Sequence, residues 1–205
     1  MKKRITLFIL FIGMMSYGFS QSYCSSTATS TYDSEVDKVV FNTISNNTAS
    51  TCAMYTDFTN INTNVFPGQT YTLTVTLGSC GGNYAKSYAF YMDWNDDGDF
   101  TDAGETLGTG GTYTATTAVS VSVTVPVNAA TSQLRLRVIS SESGIQPSCG
   151  TYTWGETEDY SVTVLPLSGF DCALTSVDSP TVFGVDSNKL TVTFTNMKAD
   201  SIFWL

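Results

Sequence analysis

Hydrophobic and polar residues alternate with a period of two along much of the chain. Between Thr70 and Leu77, the residues Tyr71, Leu73, Val75 and Leu77 fall on one face. Val119 to Val125 alternates valine with serine or threonine without a break. Leu134, Leu136 and Val138 share a face with Arg135 and Arg137 opposite, and Tyr160, Val162 and Val164 repeat the pattern. Such alternation, rich in Val, Thr and Tyr, predicts half-buried strands. Ser87 to Trp94 is denser in aromatics and predicts a central strand buried on both faces. Pro67-Gly68, Gly81-Gly82 and Gly110-Gly111 read as turns. Residues 21–31, rich in Ser and Thr, read as an extended lead-in. Helical periodicity is missing from the rest, so the expected fold is an all-β, antiparallel β-sandwich with the inward Val, Leu, Tyr and Phe as core.

The two ends read differently. Lys2, Lys3 and Arg4 precede an apolar run from Ile5 to Met15, and Gly18-Phe19-Ser20 offers small residues before a cut ahead of Gln21. Residues 1–20 are therefore expected to be a signal peptide, with an uncleaved N-terminal anchor as the competing reading. Residues 21–165 form the expected β-sandwich, and 166–169 a linker. Residues 170–205 carry two more strand-like pieces, Asp171 to Val177 and Lys189 to Thr195. Two strands cannot bury a core alone. They either dock on the first domain or, as preferred here, begin a second β domain that stays incomplete.

Charge and composition narrow the chemistry. Three of the nine basic residues and none of the eighteen acidic ones lie in the leader, so its removal leaves a formal charge of −12. Such a chain is expected to avoid nucleic acid and, once the leader is gone, not to insert in a membrane. Histidine is absent, which removes the commonest general base and zinc ligand. Cys24, Cys52, Cys80, Cys149 and Cys172 are widely spaced with no C-x-x-C pair. In an oxidising compartment they are expected to form disulfides, with one cysteine left over.

The sharpest local signal is the run Asp93-Trp94-Asn95-Asp96-Asp97-Gly98-Asp99-Phe100-Thr101-Asp102-Ala103-Gly104-Glu105. Asp93, Asn95 and Asp97 sit at alternate positions before a glycine, a pattern that can wrap oxygens around a hard cation such as calcium. Asp99, Asp102 and Glu105 are further candidate ligands. Glu105 is thirteenth when Asp93 is first, one place late for an EF-hand, and no flanking helices are visible. A non-EF calcium loop and a solvated turn held by Asx-type backbone bonds both fit.

A second acidic run, Gly155-Glu156-Thr157-Glu158-Asp159-Tyr160, precedes the last strand positions of the domain. Strand geometry sends Glu156 and Glu158 one way and Thr157 and Asp159 the other. Glu158 or Asp159 would close the cation site if this strand lies beside the 93–105 loop; equally, they would pair with Arg135 or Arg137. Asn46-Asn47-Thr48 matches a glycosylation sequon.

These runs, taken in order with Tyr23-Cys24, Tyr55-Thr56-Asp57-Phe58-Thr59, Val123-Thr124-Val125-Pro126 and Cys149-Gly150, resemble the GEVED domain over roughly residues 23–165. Thr157 departs from the family pattern, which has valine there. The resemblance implies an extracellular β-sandwich from secreted or surface proteins of Bacteroidetes-type bacteria, with no established catalytic activity. It implies disulfides Cys24–Cys149 and Cys52–Cys80, leaving Cys172 unpaired. It also suggests that 170–205 starts an Ig-like domain.

The expected function is a secreted or cell-surface module, not an enzyme, stabilised by calcium and engaged in adhesion or binding of an extracellular glycan or protein. The alternatives are a ligand-free spacer and an accessory domain of a secreted peptidase or glycosidase whose catalytic part is absent. Tyr91, Tyr113 and Tyr152 offer a possible sugar-stacking platform, though β-rich chains use tyrosine widely as ordinary sheet residues.

Overall fold

The computed structural model describes residues 22–166. The expected signal peptide, the piece at 170–205 and all of the linker but Pro166 lie outside the described residues. Ten strands make up the fold: β1 Ser26–Ser30, β2 Ser34–Phe41, β3 Ile44–Asn47, β4 Tyr55–Val65, β5 Thr70–Ser79, β6 Lys86–Met92, β7 Thr106–Tyr113, β8 Thr117–Thr124, β9 Gln133–Ser141 and β10 Gly150–Val164. They form two sheets packed as a sandwich, with no helix among the described residues. One sheet runs β1-β10-β9-β6-β7, with β4 also paired to β10; the other runs β3-β2-β5-β8.

The alternating runs became strands as expected, and their inward residues make the core. Leu73, Val75, Leu134, Leu136, Val138 and Val162 are buried between the sheets. Ala89, Tyr91, Ile139 and Tyr152 form a second cluster with Phe100 and Ala28. The first sheet is thus covered on both faces where β6 runs, which is why Ala89 to Met92 are buried at successive positions.

The expected antiparallel sandwich is present, with two parallel pairs, one added strand and one misplaced turn. The antiparallel rule holds for most pairs, but β1 and β4 both lie parallel to β10. Parallel neighbours need long connections, and both strands are followed by excursions of the chain through the other sheet before β10 closes the first. The lead-in contains a paired strand, β1, whose Ser26 and Ala28 are buried. Gly110-Gly111 is no turn: it lies inside β7 and pairs with Ser87 and Tyr88. A Cβ at Gly110 would press into the Tyr88 ring at 2.7 Å, so glycine here leaves room for an aromatic laid across an edge strand.

Disulfides staple both regions, Cys24 to Cys149 and Cys52 to Cys80, each with Cα atoms 5.6 Å apart. The pairings implied by the family resemblance are the ones found.

Candidate functional site: the acidic loop and the β10 acids

The 93–105 loop leaves β6 after Met92 and re-enters the sheet at Thr106. Its two end acids turn inward. Asp93 is fully buried. Its Oδ1 accepts from the Asp96 N–H at 2.7 Å and more weakly from Asp97. Its Oδ2 accepts from the Gly98 N–H at 3.0 Å and from the Tyr23 hydroxyl at 2.7 Å. This carboxylate therefore caps the turn, and Asp96 and Gly98 take the left-handed φ values of 62° and 92° that the wrap demands. Glu105, also buried, accepts from the Trp94 N–H at 2.8 Å and the Asp102 N–H at 3.2 Å. Burial pushes its pKa up. Phe100 plugs the loop onto the outer face of the sheet.

The middle acids turn outward. Carboxylate oxygens of Asp97, Asp99 and Asp102 lie within 4.8 Å of one another. Asn95 Nδ2 donates to Asp97 at 2.8 Å and to Asp102 at 2.7 Å. Asp99 accepts from the Thr101 N–H and hydroxyl, both at 2.8 Å, which lower its pKa. Of the six loop residues named as cation ligands, the structure brings together Asn95, Asp97, Asp99 and Asp102. Asp93 and Glu105 bind backbone N–H groups instead.

Glu158 and Asp159 do not close this loop. Asp159 is held by two arginines: Arg137 Nε reaches Oδ1 at 2.8 Å and Arg135 Nη1 reaches Oδ2 at 2.9 Å. Glu158 points to the opposite face, where it accepts from the Thr48 hydroxyl at 2.9 Å and the Tyr160 hydroxyl at 2.8 Å. The strand alternation read from the sequence explains both. The arginines share the Asp159 face because β9 pairs antiparallel with β10, Arg137 directly opposite Asp159. Arg137 and Arg135 also carry the strand to the loop: one guanidinium lies over the Phe100 ring at 5.0 Å, the other over Tyr23 at 4.5 Å.

Thr157, the departure from the family pattern, uses its hydroxyl. It is buried within 3.0 Å of Ser26 Oγ and 2.8 Å of the Tyr152 hydroxyl, which ties β10 to β1. The sequon is likewise structural: Asn46 donates to the Tyr160 hydroxyl at 2.8 Å and Thr48 donates to the Val36 carbonyl at 2.7 Å. Nor do the three tyrosines form a platform. Tyr91 and Tyr152 are core residues, and Tyr113 packs against the inter-sheet core.

A cleft of about 390 Å³ opens beside the loop, lined in part by Tyr23, Tyr55, Arg135, Arg137 and Asp159. Tyr55 donates to Asp159 at 3.2 Å, and burial first, then the nearby carboxylates, push its pKa up to about 12. The sequence marks no residue of this cleft as part of a pocket, since its walls come from four separate stretches of chain.

No curated protein matches the chain. Among solved structures, a family 123 glycoside hydrolase from Clostridium perfringens, described for its glycolipid glycan hydrolysis, matches at 12% identity and a TM-score of 0.34, over 52% of this chain and 22% of that one. That similarity is too slight to carry an argument, and this chain spans only about a fifth of that protein's length. A closer link comes from residues 87–163, which contain all of β6 but Lys86, the acidic loop and the whole of β10's acidic run: they match the family model of the GEVED domain.

Proposed function

We propose that the chain is a secreted or cell-surface, non-catalytic β-sandwich module whose outer loop is stiffened by calcium and which serves adhesion or ligand binding. The observation that carries the calcium reading is the convergence of Asp97, Asp99 and Asp102 to within 4.8 Å on one short loop. Asn95 Nδ2 bridges two of these carboxylates, and turning that amide would bring its oxygen to the same point. Four side chains are fewer oxygens than calcium takes, so carbonyls and water would complete the shell and affinity would be in the millimolar class of extracellular modules. Two long-range disulfides fit an extracellular location, and no helix among the described residues is long and apolar enough to cross a membrane.

A non-catalytic role is supported by the commitment of the buried acids to backbone, hydroxyl or guanidinium partners. The cleft at Tyr23, Tyr55 and Arg135 is the place offered to an extracellular glycan or protein ligand.

Thermal melting in rising calcium tests the loop. Binding to the folded state alone raises the Tm by mass action, and Asp97→Ala abolishes the rise. An unchanged Tm at millimolar calcium defeats the metal reading. Glycan-array binding that Tyr55→Ala removes would support the binding role; silence across the array would favour the spacer.

A further inference from the structure

Four carboxyl groups that take no part in the loop meet where the sheets face each other. Glu156 and Glu158 point from β10 of the first sheet; Glu35 and Asp37 stand on β2 of the second. Glu35, Glu156 and Glu158 are 1%, 0% and 0% exposed. Each glutamate holds chain segments together. Glu156 accepts from the Val36 N–H at 3.0 Å, beside the irregularity in β2 between Val36 and Lys38, and from the Thr56 hydroxyl at 3.1 Å. Glu158 takes the Thr48 hydroxyl just past β3. Glu35 accepts from the N–H groups of Ser50 and Cys52 at 3.0 and 3.1 Å, holding the disulfide-bearing segment before β4.

What faces these groups is mostly negative or neutral. From β2 come Glu35 and Asp37, and from β10 the Tyr160 hydroxyl. β6 supplies one cation, Lys86, which donates to the Gly78 carbonyl at 2.7 Å and to Asn83 at 3.2 Å, and whose charge is felt by Glu142, Asp37 and Glu35. β9 presents Arg137, but on the other face of β10, where it is spent on Asp159. β4 contributes the Thr56 hydroxyl and the uncharged Phe58 ring on this side. Among the described residues no ion pair reaches any of the four carboxyls. One Asp37 oxygen is buried without a hydrogen-bond partner. With Lys86 as the one cation nearby, ionising the buried acids brings mutual repulsion and loss of solvation.

We propose that Asp37, Glu156 and Glu158, gathered around Glu35, form a proton-operated clasp between the two sheets, closed while these three hold protons and loosened as they leave. Burial of these carboxyls places its working range near neutrality. Burial, with the Glu158 charge second, lifts Glu156 from the ordinary 4.5 to about 8. Burial lifts Glu158 to about 7. Burial and a hydrogen bond with Glu35 lift Asp37 to about 6. Between the ordinary and the raised values the folded chain binds protons that the unfolded chain has released. Stability from the two glutamates is therefore complete below pH 4.5 and is lost as pH rises toward about 8, and that from Asp37 is complete below 3.8 and is lost toward about 6. An alkaline medium opens the seam between β2 and β10 and frees the Cys52 segment; an acidic one seals it.

The test is the Tm of the full chain between about pH 5.5 and 8.5 in chelator, which silences the loop. The expected result is a fall of about 5 °C or more for the wild type and a flat profile for the Glu156→Gln, Glu158→Gln double variant. A wild-type Tm that holds or rises over this range overturns the proposal, as does a variant with the wild-type slope. If the variant does not fold, the infrared carbonyl band of protonated carboxylic acid decides on the wild type alone. Its presence at about pH 6.5 and loss by about pH 8.5 support the clasp, and its absence at the lower pH refutes it.

Discussion

Arg137 and Asp159 form a two-pronged pair between β9 and β10: Nε donates to Oδ1 and Nη2 to Oδ2, each at 2.8 Å, with both side chains buried. Its remaining donor, Nη1, reaches the carbonyls of Cys24 and Ser148 at 3.0 and 2.7 Å, on either side of the long-range disulfide. Asp159→Asn leaves that guanidinium buried without its counter-charge and should cost about 3–5 kcal/mol. Arg135→Ala, at a partly exposed partner of the same carboxylate, should cost about 1 kcal/mol or less. Urea denaturation of the two variants measures the contrast.

Glu105 determines the closure of the acidic loop without touching its outer triad. Glu105→Ala removes the acceptor for two N–H groups, Trp94 and Asp102, the first buried. A loss of about 2–4 kcal/mol is expected, with faster hydrogen exchange at those two amides. Calcium binding at Asp97, Asp99 and Asp102 should weaken as well, since Asp102 would lose the bond that fixes its backbone.

Gly155 takes a φ of 137°, and a Cβ there would collide with the Ser140 carbonyl oxygen of β9. Gly155→Ala is expected to cost more than about 2 kcal/mol, because it adds backbone strain to a contact that backbone cannot relieve. Gly104→Ala, at a φ of 94° but in open space, should cost about 1 kcal/mol. Equilibrium unfolding separates the two.

The disulfides differ in reach. Cys24–Cys149 closes 125 residues of sequence and Cys52–Cys80 closes 28. Loop-closure entropy assigns them about 5 and about 3.5 kcal/mol respectively. Replacing Cys24 and Cys149 together by serine should therefore lower the urea midpoint more than replacing Cys52 and Cys80.

Much of the fold was legible because period-two patterning survives wherever one sheet face is buried. Val119 to Val125 and Leu134 to Val138 are strands for that reason, and the opposed directions of Glu158 and Asp159 followed from the same rule. β1 and β4 were harder to read. Their sequences, Ser-Thr-Ala-Thr-Ser and the Asn- and Thr-rich run after Tyr55, carry too little apolar signal, and β4 is largely exposed. The loop showed a different failure. Spacing can nominate oxygens but not their direction: Asp93 and Asp97 look equivalent in sequence, yet one caps a turn inside and the other faces solvent. The carboxyls beneath Glu158 were missed because Glu35 lies more than a hundred residues away and nothing local marks it as buried.

Both parallel partners of β10, the strands at 26–30 and 55–65, are made early in the chain and have no place in the first sheet until the last strand arrives. Synthesis up to Cys80 can assemble the β2–β3–β5 part of the second sheet and the shorter disulfide, but the places of β1 and β4 in the first sheet and the Cys24 bridge must wait for residues 149–164. Long-range closure of this kind is slow. The β10 edge of the first sheet therefore stays open for most of the domain's synthesis.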